Sequence, residues 1–461
     1  MEVLTDSLPI NTIHIQRLNH TLFWNYFTNS TYSSGNFMNK SSLFKIICIA
    51  FVLISGYSNS QNLTAPNLDT VYLSIPDAEQ RFVSKNLSLL ISQYDVSISK
   101  DNYLQAKLWY NPNLTYTQEV YNPYSKEWLN ANNENAFQIQ EILTIGGRHS
   151  AYANLNKIGI RQAQFQLADL LRSLKYQLYT DISDLYSNQQ LVTMYKMEES
   201  RIAPLVESTR ALFQAGNASG NDLIRLQAQY QDAVALEITC QQAILNDQKE
   251  LKTLLVYPSN SYLVVKEIGI GLGQIPPFQT ILDSAQKNRP DLMLALTGIA
   301  YQKQNVKLQH ATTIPDLTVG VSYDKAGSYE PNFWGIYGSM DLPFFNRNQG
   351  NIKVARDQEK QAELNDSLAL HSVQNEVTSN YCNLYRINTE YSRIDAGYEN
   401  DLNEMMNNAV TNYNKRYISL LDLLSQISTF VDGKTNLINI KVQYFNAIHS
   451  LNYSTGIDII K

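Results

Sequence analysis

The chain has 461 residues, a formal net charge of -6, 44% hydrophobic and only 17% charged residues, against the roughly 25% charged that soluble domains carry. Mild acidity without a basic stripe argues against nucleic acid as a partner, and the length suits either two or three ordinary domains or one extended, duplicated unit. Tyrosine is abundant, at 30 residues, which fits wet walls and interfaces better than one large dry core.

Met38 opens the string MNKSSLFKIICIAFVLISGYSNSQ, in which Lys40 and Lys45 precede the apolar run Ile46 to Ile54, followed by small and polar residues. This order predicts a secretory signal peptide over 38–60 with cleavage near Ser60, and makes 1–37 an upstream extension that the mature protein lacks. A membrane anchor would need about 20 apolar residues, roughly twice what the run supplies. Cys48 is not in a lipoprotein context, and Cys240 and Cys382, each on a helical pattern, give no disulfide framework or thiolate metal site.

The stretch 61–257 reads as a first structural repeat. Ile75 to Trp109 has helical spacing and is ended by Pro112. A β-hairpin over 112–145 follows: Leu114, Tyr116, Gln118 and Val120 alternate with Thr115, Thr117 and Glu119, then a polar turn leads to Phe137, Ile139, Leu143 and Ile145. From Arg148 to Gln214 the apolar positions step by threes and fours with Pro204 as the one proline, and a helix of that length would span about 100 Å. The pattern breaks at a tip over 215–221 and resumes from Asp222 to Tyr257. Residues 258–277, with three glycines, read as an irregular linker.

The stretch 278–461 repeats these events. Phe278 to Thr312 is helical, and a second hairpin over 315–343 alternates Leu317, Val319, Val321 and Tyr323 with Thr318, Gly320, Ser322 and Asp324, then Trp334, Ile336, Gly338, Met340 and Leu342 on its return arm. A long helical run to Tyr413, a tip over 414–419 and a last helix from Leu420 to about Tyr453 complete it. In that helix Leu420, Ile427, Lys434, Lys441 and Ile448 are seven apart, a heptad seam whose lysines keep it from being fully dry. Pro112-Asn-Leu-Thr returns 203 residues later as Pro315-Asp-Leu-Thr, and Asp222-Leu223-Ile224 returns 200 residues later as Asp422-Leu423-Leu424, so the chain reads as an internal duplication. Two hairpins give four strands, too few to close a barrel. Three copies would supply twelve, an even number suited to an outer-membrane barrel.

Asn288-Arg289-Pro290-Asp291-Leu292, Pro315-Asp316-Leu317, Trp334 through Leu342-Pro343-Phe344-Phe345, Phe213-Gln214-Ala215-Gly216 and Ser419-Leu420-Leu421-Asp422 occur in an order and spacing that resembles the TolC family of outer-membrane efflux proteins. The resemblance covers essentially the whole mature chain. Gly146-Gly147-Arg148 and Ile202-Ala203-Pro204 are more like its heavy-metal branch, of the CusC and CzcC kind, than its type I secretion branch. The fold it implies is mainly α with a membrane β-barrel. In a homotrimer the two hairpins of each chain give a 12-stranded barrel in outer-membrane lipid, and long antiparallel coiled-coil helices form a periplasmic α-barrel, with 258–277 at its equator. The function it implies is the exit duct of a tripartite efflux system, which passively exports small molecules or metal cations. These are delivered by an inner-membrane resistance-nodulation-division pump through a periplasmic membrane-fusion adaptor. The alternatives are the outer-membrane component of type I protein secretion, and a periplasmic coiled-coil scaffold without a pore; a scaffold has no need of two hairpins with one apolar face each.

The same resemblance makes the two helix breaks adaptor-contact tips, with Gly216, Ser219, Gly220, Asp222, Ser419 and Leu420 as candidates, and makes Asp422, Tyr413 and Arg416 candidates for a pore constriction. Glycine is the usual residue where a chain leaves a helix in the left-handed conformation, and Asp222 and Asp422 are good first-turn residues in any helix. In a trimer Asp422 would also occur three times around one axis, as a ring that attracts cations. The six histidines form no pair at metal-ligand spacing, and no nucleophile, acid-base pair or phosphate loop appears, so no catalysis, cofactor or resident metal is expected.

Overall fold

The structure, a computed structural model, describes residues 68–129, 135–269, 274–326, 330–395 and 397–460. The signal peptide expected over 38–60 and the extension expected over 1–37 lie outside the described residues.

Strand β1 (Asp69–Leu73) opens the described chain and pairs in parallel with β6 (Ser261–Val265), Asp69 opposite Ser261 and Leu73 opposite Val265. The linker over 258–277 is therefore not wholly irregular. Ser261, Leu263 and Val265 alternate as buried residues, a period of two too short to stand out in the sequence. Helices α1 (Ile75–Lys85) and α2 (Leu87–Ala106) replace the single helix expected from Ile75 to Trp109. Asn86 makes the break. Its backbone N–H donates to the Phe82 carbonyl at 3.0 Å, its Oδ1 accepts from Leu89 N–H at 3.0 Å, and its Nδ2 donates to the Leu254 carbonyl at 2.9 Å, so one buried side chain ends one helix and starts the next.

Four strands form one antiparallel sheet in the order β2 (Asn113–Gln118), β5 (Asn135–Leu143), β7 (Leu317–Asp324), β8 (Phe333–Met340). The two hairpins thus lie side by side, joined by β5 and β7, with β2 and β8 left as open edges. A two-stranded ribbon, β3 (Tyr121–Asn122) with β4 (Glu127–Trp128), caps the first hairpin. The register divides the faces as the alternation predicts. Leu114, Ile139, Val321 and Ile336 lie in one cross-strand row, and Tyr116, Phe137, Tyr323 and Trp334 in the next towards the loops. This face is bare in the single chain, with Ile336 89% and Leu114 65% exposed. The opposite face carries Thr115, Gln138, Gln140, Ser322 and Tyr337. There Tyr337 Oη donates to Gln140 Oε1 at 2.7 Å and accepts from Gln138. Tyr337 lies over Gly320, where a Cβ would come within 2.5 Å of the phenol ring, so any larger residue would have to displace that ring.

The sheet continues into helices. α3 (Arg148–Gln214) runs 67 residues without a break, with Pro204 inside it, and α4 (Gly220–Leu255) returns alongside. α5 (Phe278–Asn288) and α6 (Pro290–Ala311) divide the helix expected from Phe278 to Thr312, because Pro290 suits a first helical turn and not an interior. The Arg289 guanidinium, 4% exposed, fixes that corner on Asp291 at 2.6 Å, Glu376 at 2.7 Å and the Ser454 carbonyl at 3.1 Å. After the second hairpin come α7 (Gln349–Tyr391), α8 (Tyr398–Asn414) and α9 (Leu420–Thr455). The run expected to reach Tyr413 unbroken is thus divided between Tyr391 and Tyr398. Among the described residues, no helix is long and apolar enough to cross a membrane.

Candidate functional site at the helical tips

The core nearest the two tips is shared by both repeats: Ile202, Leu205 and Leu226 pack with Met406, Ala409, Leu420 and Leu423. This places the expected tip residues of both halves at one end of the molecule. The two turns are built alike, 200 residues apart. After α3, the Asn217 N–H reaches the Leu212 carbonyl at 2.8 Å and Gly216 N–H the Phe213 carbonyl at 3.0 Å. After α8, the Tyr417 N–H reaches the Asn412 carbonyl at 2.9 Å and Arg416 N–H the Tyr413 carbonyl at 2.9 Å. The left-handed residue that these bonds require is Gly216 (φ 73°) in the first tip and Arg416 (φ 61°) in the second. Gly220 is not left-handed. It is the first residue of α4, and a Cβ there would meet the Phe213 ring at 3.2 Å, so its glycine answers to a close contact and not to a backbone turn.

Ser219 and Ser419 are the N-caps of α4 and α9. Ser419 and Asp422 form a full capping box: Ser419 Oγ accepts from Asp422 N–H at 3.2 Å and donates to Asp422 Oδ2 at 2.7 Å, while Ser419 N–H donates to the same carboxylate at 3.1 Å. The Ser419 side chain first, and its backbone N–H second, hold the Asp422 carboxyl below the usual carboxylate range. Ser219 Oγ instead accepts from Asn221 N–H at 3.2 Å, so Asp222 has no such box. Asp422 is therefore a helix-start group in the single chain, fully exposed and charged.

Two expected residues are less exposed in the single chain than the other candidates. Leu420, a candidate adaptor contact, is buried in the shared core, because the first apolar position of the heptad seam turns inward. Leu421, Tyr417, Ile224 and Phe213 are among the exposed apolar side chains at the tips. Tyr413, a candidate constriction residue, packs half-buried against the same core, whereas Arg416 is exposed.

Above the tips lie polar links that the spacing only partly announced. Lys434 and Lys441, the two lysines of the α9 seam, share one carboxylate, with Glu399 Oε1 2.9 Å from Lys434 and Oε2 3.1 Å from Lys441. Arg201 on α3 spans the two repeats: its Nη2 donates to Asn407 Oδ1 at 3.0 Å and its guanidinium lies 5.4 Å from the Phe430 ring centre. Nothing in the one-dimensional pattern pairs Arg201 with residues more than 200 positions away.

No family model matches the chain. Among curated proteins it is 25% identical to the toxin and drug export protein A of Aggregatibacter actinomycetemcomitans, over 60% of this chain and 58% of that protein, so it spans less than two thirds of that relative's length. It is 20% identical to the cobalt-zinc-cadmium resistance protein CzcC of Cupriavidus metallidurans, over 69% of this chain and 75% of that protein. Its structure matches the Campylobacter jejuni CmeC outer membrane channel with a TM-score of 0.67 at 16% identity, covering 84% of this chain and 87% of the other.

Proposed function

From a chain that has the fold of the TolC family of outer-membrane channels, we propose an outer-membrane exit duct for efflux, working as a homotrimer with most of each chain in the periplasm. The observation that carries this reading is the four-stranded sheet, apolar on one face, hydrogen-bonded and polar on the other, and open at both edges. Open edges seek strands, and a face bearing Ile336 and Trp334 seeks lipid. Joining β8 of one copy to β2 of the next gives the 12-stranded barrel that this geometry supports, with Gln138, Gln140 and Tyr337 towards water.

The finer assignments are a tripartite assembly, with a periplasmic adaptor at the tips and a resistance-nodulation-division pump in the inner membrane. In it Gly216, Ser219, Gly220, Asp222 and Ser419 shape the turns that meet the adaptor, and Asp422 and Arg416 line the narrow end. The duct does no chemistry of its own, and its cargo is what the pump delivers. The CzcC relative favours metal cations, and the export protein A relative supports a second reading, small-molecule or protein toxins. The purified protein reconstituted in planar bilayers should conduct as a trimer and should fractionate with the outer membrane. Recovery as a soluble periplasmic protein without conductance would sink the duct and leave the scaffold.

A further inference from the structure

Where the sheet passes into the shaft, the wall formed by α2, α3 and α6 holds a cavity of about 420 Å³, within the roughly 300–1,000 Å³ of small-ligand sites. Its sides are Trp109 and Tyr110 just past α2, Arg148, His149 and Tyr152 in the first turns of α3, and Leu308 near the end of α6. The Trp109 and His149 rings stack, 4.2 Å apart and 13° from parallel, which holds the indole against α3 yet leaves it 61% exposed. Tyr110 and Tyr152 are at least half exposed as well. The cavity opens on the water side of the wall. Arg148 and Tyr152 are four residues apart and so share a side of α3, and Arg148 also lines the adjoining cavity, where Thr318 and Ser339 continue the polar face of the sheet. Arg148 is the one permanently charged side chain around the aromatic cavity, whereas Asp316 and Asp341 belong to the adjoining one. Its Nη2 donates to Asp316, and its other side-chain N–H groups have no protein partner among the described residues.

The second repeat supplies an internal control. At the offset of 203 that relates Pro112 to Pro315, Trp109 and Tyr110 correspond to Thr312 and Thr313. At the offset of 201 that relates the N-caps Gly147 and Asn348, Arg148, His149 and Tyr152 correspond to Gln349, Gly350 and Lys353. The same passage from strand to helix is thus built in one chain without any of the rings, so the fold does not require them. Three large aromatic side chains turned to water in one recess leave apolar surface that a ligand can cover.

We propose that this recess binds planar aromatic solutes that carry an anionic group, a carboxylate or a sulfonate, as they pass along the duct. Trp109, Tyr110 and Tyr152 offer offset-stacking and edge-on contacts to a flat ring. The free N–H groups of Arg148 donate to the anionic oxygens, whose planar or trigonal array suits a guanidinium. The inference rests on the duct reading and deepens it. Of the two cargo classes it favours small organic molecules, because stacked rings beside a guanidinium select a flat organic anion over a metal cation.

The test titrates the purified protein in detergent with sodium naphthalene-1-sulfonate, followed by calorimetry against a detergent blank. Sodium cyclohexanesulfonate, which carries the charge without the flat ring, is the comparison. Binding of the naphthalene compound should saturate, and that of cyclohexanesulfonate should be weaker by about tenfold or more. Trp109→Ala and Tyr152→Ala should each weaken binding by about tenfold, whereas Trp128→Ala, which removes an exposed ring from the ribbon capping the first hairpin, should leave it unchanged. If Trp109→Ala does not assemble, since it also loses the His149 stack, Tyr152→Ala makes the same comparison alone. Planar bilayers separate the recess from the duct. A saturable fall in conductance with naphthalene-1-sulfonate supports both, and binding without any conductance keeps the recess and sinks the duct. Equal binding of the two sulfonates, or ring variants that bind as tightly as wild type, would overturn the recess.

Discussion

A single side chain reports which face of the sheet meets lipid. Val321 lies in the central apolar row beside Ile139 and Ile336. Val321→Arg should cost about 2–4 kcal/mol at mid-bilayer depth, while Ser322→Arg, on the polar face, should cost much less; the yield of assembled trimer after mild detergent extraction measures both, a larger loss from Ser322→Arg would mean the faces are reversed, and equal losses would mean that the sheet does not divide lipid from water. His449 tests burial in the same way. Its ring stacks on Tyr179 at 3.6 Å and meets the edge of Phe445 at 4.3 Å, and burial, partly offset by Asp458 and reinforced by Lys175, lowers its pKa to about 4. The folded value lies below the unfolded one, near 6.5, so the unfolded chain takes up the proton first as pH falls. This contribution to stability is intact above that unfolded value and is lost as pH falls from there towards the folded one. At pH 5 the loss should be about 2 kcal/mol, and His449→Phe, which keeps the ring stack, should flatten the melting profile between pH 7 and 5.

At the scale of elements, the tips and the heptad seam carry separable energies. Arg416 holds a left-handed conformation that its duplicate Gly216 adopts without strain, so Arg416→Gly should stabilise the second turn by about 1 kcal/mol, and Gly216→Ala should destabilise the first by a similar amount. Removing the cap with Ser419→Ala should cost about 1 kcal/mol. In the seam, Lys434 is 8% exposed and depends on Glu399. Glu399→Gln should cost about 1 kcal/mol, since the carboxylate is half exposed and screened, and most of it should be returned by adding Lys434→Met, because an apolar side chain of similar length needs no counter-charge; denaturation of the double variant against each single one measures the coupling. The sequence made these elements legible where a period persisted. The alternating arms of both hairpins, the 67-residue helix and the repeated tips all stood out. It hid the corner at Asn86, whose one-residue break follows from a tertiary hydrogen bond to Leu254, whereas the corner at Arg289 was announced by Pro290 and passed over in a run of helical spacing. It also hid the pairing of β1 with β6, where five residues find their partners across roughly half of the chain. The tip candidates were placed by the pattern, but the inward turn of Leu420 follows from packing between repeats, which no local spacing records.

For the whole molecule, in the proposed duct, the open edges would make assembly and conduction one property. If three Asp422 carboxylates meet near an axis at the tips, like charges repel there, and the more strongly the closer they come. Conductance in planar bilayers should then favour cations and be blocked by divalent cations from the tip side, and Asp422→Asn should weaken both effects more than Asp222→Asn does. Unchanged selectivity in Asp422→Asn would leave the carboxylate as a capping group alone. The long shaft also has a mechanical character. Over most of its length α3 is an unbroken hydrogen-bonded rod, but Pro204 removes one rung of that ladder ten residues before the helix ends at Gln214. In the other repeat the matching run is interrupted between Tyr391 and Tyr398. Each half of the molecule thus has its weakest hydrogen-bonded stretch on the tip side, so that a load on the tips would bend those turns before it bends the upper shaft.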